Sequence, residues 1–264
     1  MVHSPAAAHC LAVLGYLARQ VEPIPAARIA ARLGLPRSTT YRLLATLVSS
    51  GYAVHVPEAG YALGLAAYEL GSAYARQQPL QRAARPLIAR LVERTGESAH
   101  LAVLSGSDAL YLIEERAPGR PSLVSDVGVR LPAEVTASGL AMLAHLPGRQ
   151  ISALYPSTAF LVRRTESGPR TIAALRRRLG EIRRRGHSRE TDSVTVGLSS
   201  LAMPVLDVSG RPIASVAVTF PTGSSETGVL EAIEATVAAL RRRLGHAGET
   251  RSGQSPVAAS SSAR

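Results

Sequence analysis

The sequence has a single cysteine, Cys10, which leaves no intrachain disulfide and no thiolate cluster for zinc or iron–sulfur. It lacks any run of about 18 apolar residues, so no membrane span is expected. The N-terminal stretch MVHSPAAAHCLAVLGYLARQ has no basic region ahead of its apolar residues and continues as an amphipathic pattern. No signal peptide is read there, and a cytoplasmic location is expected. There is no G-x-S-x-G elbow, no GxGxxG opening a helix and no H-E-x-x-H. The histidines, His3, His9, His55, His100, His145, His187 and His246, are dispersed. An enzyme is therefore thinly supported, and no cofactor or metal is expected. No internal repeat is evident.

What is present is 264 residues, 46% apolar and 19% charged, an ordinary globular balance. At roughly 150 residues per domain the chain makes one large domain or two small ones. The formal net charge of +11 suggests a polyanionic partner such as DNA, RNA or an anionic membrane surface. Arginine far outnumbers lysine, which can reflect genomic base composition as much as function.

Apolar spacing predicts a helix over 7–20, with Cys10, Leu11, Val13, Leu14 and Leu17 on one face. The Pro23-Ile24-Pro25 stretch breaks it. A short helix over about 26–33 ends at Gly34, and another runs from Pro36 to about Val48 with Leu43, Leu44 and Leu47 inward. Alternating segments 52–56 and 60–63 around Pro57-Glu58-Ala59-Gly60 read as a hairpin. Helices follow over 65–77 and 80–95, with a domain boundary between Gln77 and Leu80. Beyond it, strands are predicted at 99–104, 109–115, 122–126, 199–206 and 212–220, and helices at 136–145, 150–155, 171–185 and 225–244. Short connections between consecutive strands point to a largely antiparallel sheet. Residues 247–264 read as a disordered tail. The fold class is α+β: a winged helix-turn-helix over 1–64, a linker helix over 65–79 and an α/β domain over 80–246.

Two short helices meeting at Gly34 form the unit that lays its second helix in a DNA major groove. That helix presents Arg37, Ser38, Thr39, Tyr41 and Arg42 away from its leucines, and no acidic residue lies between Gly34 and Gly51. Arginines and hydroxyls reach phosphates and base edges. The hairpin would be a wing, with His55 at its tip and Tyr61 on its second strand. Each residue has a plainer reading. Ser38 and Thr39 could cap the helix, Tyr41 could pack against the wing, and the trio could be a three-helix core with a polar solvent face.

At these residues the chain resembles the IclR family of transcriptional regulators. The resemblance covers about 7–244. It rests on IPAARIAARLGLPRSTTYRLLATLVSSGYAV, the YALG wing, GVRLPAEVTASGLAMLA and LSSLAMPVLDVSGRPIASVAV. It implies a GAF-like effector-binding domain behind the winged domain, a homodimer or homotetramer, and a pseudo-palindromic double-stranded DNA operator whose affinity a small organic effector modulates. The apolar faces of helices 7–20 and 65–77 suit dimer contacts, or packing within one chain.

The resemblance places the effector near Asp126, Gly128, Glu134, the helix start Thr136-Ala137-Ser138-Gly139, and Ser200. The free N–H groups of that helix start offer an anion seat, although Ser138 could equally be a plain cap. Glu134 stands where the family often has His, Leu140 where Lys is usual, and Thr195 where Glu is common. These departures point away from an ordinary small carboxylate as ligand. Asp192 reads as a loop residue. The span 163–189 holds ten arginines against two glutamates. It reads as a solvated face whose aliphatic stems cover the core, with a nucleic-acid patch as the rival. A further alternative is a ligand sensor whose winged domain makes protein contacts. Salt dependence separates that from DNA binding.

Overall fold

The computed structural model describes residues 4–162, 164 and 168–252. The chain divides into two compact units between Gln78 and Pro79.

The first unit opens with α1 (Pro5–Leu17), α2 (Ala26–Leu33) and α3 (Arg37–Ser49). An eight-residue helix such as α2 is too short to hold in water by itself. It persists because Ala26 and Ile29 are buried with Val13, Leu43, Leu44 and Leu47 in one core. Each fully buried leucine or isoleucine stabilises that packing by about 1.5–3 kcal/mol. Leu11, expected on the buried face of α1, is 69% exposed, because the buried stripe runs through Val13, Tyr16 and Leu17. Gly34 ends α2 at φ +65°, a left-handed turn that costs glycine nothing. Strands β1 (Ala53–Val56) and β2 (Gly60–Leu63) pair antiparallel, and Tyr61 exchanges both backbone hydrogen bonds with Ile24 at 2.9 Å. Gly60 sits where that approach leaves no space: at φ +124°, a Cβ would stand 2.4 Å from the Ile24 carbonyl. Helix α4 (Leu65–Gln77) closes the unit.

The second unit is a six-stranded sheet ordered β5-β4-β3-β8-β7-β6, antiparallel at every pairing. The strands are β3 (Ser98–Ser105), β4 (Asp108–Glu115), β5 (Arg130–Pro132), β6 (Ser188–Thr191), β7 (Leu198–Leu206) and β8 (Pro212–Pro221). Strand alternation sorts the two faces. Leu101, Ile113, Leu201, Val216 and Val218 point into a core with α5 (Pro79–Thr95) and α9 (Val229–Ser252). His100, Tyr111, Ser200, Ala217 and Thr219 alternate with them and line a cavity on the other face, beside the start of α6 (Ala137–Leu143). Every residue of α6 is buried, so it has no polar stripe. It lies close to the sheet through Ala137 and Ala141 against Ala202 and Ala217. Helices α7 (Gly148–Leu154) and α8 (Ile172–Arg185) complete a second cluster around Leu140, Leu143 and Tyr155.

Two expectations are corrected, and one strand was not anticipated. Residues 122–126 are not a strand. The edge of β4 is taken at Asp108–Leu110 by Arg130–Pro132, and near Tyr111 by the backbone of Gly128 and Val129. The short edge strand β6 carries too little pattern to announce itself. Helix α9 runs on to Ser252, so 247–252 are helical; the rest of the expected tail lies outside the described residues.

Candidate DNA-reading helix and effector cavity

On α3, Thr40, Leu43, Leu44 and Leu47 are buried, while Arg37, Ser38, Tyr41 and Arg42 are exposed and Thr39 is half-buried. Pro36 occupies the N-cap without a side-chain bond, so neither Ser38 nor Thr39 caps the helix. Thr40 instead donates its hydroxyl to the Pro36 carbonyl at 3.1 Å. Tyr41 is 54% exposed and is not packed away against the wing. His55 does not stand at the wing tip. It pairs across the hairpin with Tyr61, ring centroids 4.8 Å apart, and the tip is Pro57 to Ala59 with Glu58 at φ +62°. The outward face of α3 is thus a cationic, hydroxyl-bearing surface, and the single negative charge of the wing, Glu58, is at the hairpin turn.

In the second unit, Thr136, Ala137, Ser138 and Ser200 line the cavity as expected. Thr136 is the N-cap of α6, its Oγ1 accepting the Gly139 N–H at 2.9 Å. That bond takes up one of the N–H groups expected to seat an anion. Gly139 serves packing: a Cβ there would lie 2.3 Å from the backbone of Ala133.

Asp126, Gly128 and Glu134 do not reach the cavity. Asp126 is exposed and accepts its neighbour Val127 N–H at 2.6 Å. Gly128 is exposed and donates its N–H to the Tyr111 carbonyl at 2.8 Å. Glu134 is buried among protein groups, accepting the Tyr155 hydroxyl at 3.0 Å and the Val162 N–H at 2.8 Å. Burial, reinforced by that carboxylate, holds the Tyr155 hydroxyl far above its usual range. Glu134 is a staple between the entry to α6 and the segment after α7.

Residues the sequence reading passed over supply most of the cavity's chemistry. His100 is buried, 3.1 Å from Ser125 Oγ, and burial lowers its pKa to about 4. Tyr111 meets it edge-on at 5.6 Å; burial raises its pKa to about 12, against the pull of Ser138 and Thr136. Glu190 is 3% exposed and burial raises its pKa, against the pull of Ser200, Ser193 and Arg178. The free volume among these groups is about 30 Å³, close to one water's share of the liquid. Loop residues Leu123 to Ser125 and Val194 to Thr195 form part of the wall. Among the described residues, no group of three or more His, Cys, Asp and Glu is placed to hold a metal ion.

Both units match known families. Residues 6–57 match the IclR helix-turn-helix domain, and residues 72–243 match the bacterial transcriptional regulator IclR C-terminal domain. The chain belongs to the IclR family. Among its relatives, the transcriptional regulator BhcR of Paracoccus denitrificans is 31% identical over 217 residues, covering 82% of this chain and 77% of that one. The transcriptional repressor IclR of Escherichia coli is 28% identical over 214 residues, covering 80% and 78%. The solved structure of Pseudomonas aeruginosa HmgR superposes with a TM-score of 0.73 at 28% identity, covering 91% and 99%. An IclR homolog from Microbacterium hydrocarbonoxydans, solved with 4-hydroxybenzoate, has the same fold at 24% identity and a TM-score of 0.81, covering 91% and 99%. BhcR and IclR are regulators of transcription, not enzymes, and this IclR-family chain is a helix-turn-helix DNA-binding transcriptional regulator.

The arginine-rich helix of the regulator is largely occupied with its own domain. Leu175, Leu179 and Ile182 bury one stripe of α8. Arg183 donates to the carbonyls of Ala144 and Leu146 at 2.6 and 3.4 Å, which satisfies the C-terminal end of α6. Arg178 donates to the Arg189 carbonyl at 2.9 Å and Arg176 to Ser152 Oγ at 3.0 Å. Asp192 lies in a loop, as expected, and accepts the Gly197 N–H at 2.7 Å.

Proposed function

We propose that Arg37, Ser38, Thr39, Tyr41 and Arg42 on α3 make the operator contacts, with His55 and Tyr61 of the wing against the backbone. The observation that carries this is the division of α3 into a buried leucine face and an exposed Arg–Ser–Tyr–Arg face. Arg42→Ala should weaken binding to a selected operator about tenfold without changing the melting temperature. If Arg42 meets a phosphate, the salt slope falls by about one; if it meets a base, discrimination at that base relaxes. Unchanged affinity in a gel-shift titration removes Arg42 from the interface. Loss of salt dependence altogether would favour the winged domain as a protein-contact module.

The regulator acts in the cytoplasm as a homodimer or homotetramer on an inverted repeat. Among the described residues no helix is long and apolar enough to cross a membrane. Leu65, Tyr68 and Tyr74 of α4 stand more than half exposed and suit a second copy, which sedimentation equilibrium of the full chain tests. The cavity beside α6 is the effector site. An occupant larger than a water displaces the loops at 123–125 and 194–195, and that displacement is the change binding would transmit. Ser200→Trp should abolish the effector response; an intact response would place the effector elsewhere.

A further inference from the structure

The cavity has one wall whose protons are already spoken for. Ser200 Oγ donates to Glu190 Oε1 at 2.9 Å and lies 2.9 Å from Thr219 Oγ1. A hydroxyl has one proton. With the Ser200 proton committed to the carboxylate, Thr219 must be the donor in the second bond. The other carboxylate oxygen accepts the Ser193 N–H at 3.0 Å. With Glu190 ionised, each of these groups has lone pairs left and none has a proton to offer.

The hydroxyls of Tyr111, Ser125, Thr136, Ser138 and Thr195 and the start of α6 share the lining, but none of them carries a positive charge. Among the described residues, no arginine or lysine lines the cavity. Arg178, whose charge reaches Glu190, directs a guanidinium N–H to the Arg189 carbonyl and is not among the lining residues. The opposite side is amphipathic, with the His100 and Tyr111 rings beside Leu123, Val194 and Leu198. With Glu190 ionised, an anion placed against it would meet a like charge in a poorly solvated space with no cation among the described lining residues, an arrangement that strongly disfavours both charges. A hydroxyl or amine placed there fills the open lone pairs.

We propose that the effector is an uncharged or cationic molecule with an apolar body, presenting a hydroxyl or amine donor to Glu190 and Thr219, and is not a small carboxylate. This rests on the reading of the cavity as the effector site. It makes Glu190 the residue that sets the charge of the ligand.

The test uses the full chain and two probe sets differing only at the head group: 4-hydroxybenzyl alcohol, 4-hydroxybenzylamine and 4-hydroxybenzoate, and butanol, butylamine and butyrate. Affinities are read by ligand-observed NMR on the wild type, Glu190→Gln, Thr219→Val and Ser200→Trp, each checked for a native melting profile. The alcohol or amine of at least one set should bind the wild type roughly a hundredfold more tightly than its carboxylate. Glu190→Gln should bring the carboxylate to within about tenfold of the alcohol. Thr219→Val, which leaves the carboxylate side chain in place, should weaken the alcohol about tenfold, and it carries the test alone if Glu190→Gln does not fold. A carboxylate that binds the wild type as tightly as its alcohol, and is lost in Ser200→Trp, overturns the proposal but keeps the cavity as the effector site. Binding that survives Ser200→Trp, or no binding by either set, overturns the reading of the cavity and the proposal with it.

Discussion

Replacing Gly139 by alanine is expected to lower the melting temperature by about 6–12 °C, while the same change at Gly180 raises it by about 2–4 °C. Both glycines lie inside helices, where alanine is ordinarily better by about 1 kcal/mol because it restricts the unfolded chain and solvates less backbone. At Gly180 in α8 that ordinary term decides. The nearest group to a new Cβ is the Arg184 guanidinium end at 3.9 Å, which is flexible and can move. At Gly139 the Cβ would lie 2.3 Å from both Cα and O of Ala133 and 2.6 Å from its carbonyl carbon. These are backbone atoms of a buried residue and cannot yield singly. The chain leading into α6 would have to separate from the helix, at a cost of about 3 kcal/mol or more. Thermal unfolding of the two variants, followed by circular dichroism, reads the difference in sign directly. A Gly139→Ala protein as stable as the wild type would mean that α6 is not held against Ala133 in solution.

Gly139 also shows what could be read before the structure. In sequence it sits in a helix-start block, and it was expected to offer an N–H to a ligand. Spacing along the chain cannot reveal that Ala133 passes within contact of it. The helices with one apolar stripe were legible because their pattern repeats at 3.6 residues, as α2, α3, α5 and α8 do. Residues 122–126 have the composition of a strand, yet β4 gives its edge to Arg130–Pro132, so the segment remains a loop beside the cavity. Pairing choice is a tertiary fact, and no local signal carries it.

The site divides along the same line. On α3 the exposed positions follow from the leucines, so four of the five residues expected there stand outward by periodicity alone and Thr39 is half-buried, whereas His55 needed the hairpin register to move it from the tip. In the cavity, strand alternation could have flagged His100 between Ala99 and Leu101, and Thr219 between Val218 and Phe220. Each is a polar residue set between residues of an apolar core. Glu190 had no such signal, because β6 is four residues long and stands at the sheet edge. Glu134 misled for the opposite reason. A buried acid near a ligand block suggests recognition, but Tyr155 and Val162, distant in sequence, satisfy both of its oxygens.

Acidification from pH 7 to pH 5 is expected to cost the wild type about 2 kcal/mol of stability that a His100→Gln variant does not lose. Burial lowers the His100 pKa from 6.5 to about 4. Between those values the unfolded chain takes up a proton that the folded chain refuses, so stability is complete above pH 6.5 and drains away as the pH falls toward 4. Glu190 acts with the opposite sign. Its raised pKa means that the folded chain binds a proton more readily, so its contribution grows as the pH falls through that raised value. The wild-type profile alone therefore mixes two terms, and the difference between wild type and His100→Gln isolates the imidazole. Glutamine does not titrate, and its amide can keep a partner for Ser125 Oγ. The measurement is thermal unfolding of both proteins at pH 7, 6 and 5. Diverging profiles mean that the imidazole is shielded from water, which requires the loop carrying Ser125 to stay closed over the cavity when no effector is present. Parallel profiles mean that water reaches His100 through an open loop, and the closed arrangement would then have to be imposed by the effector instead of being opened by it.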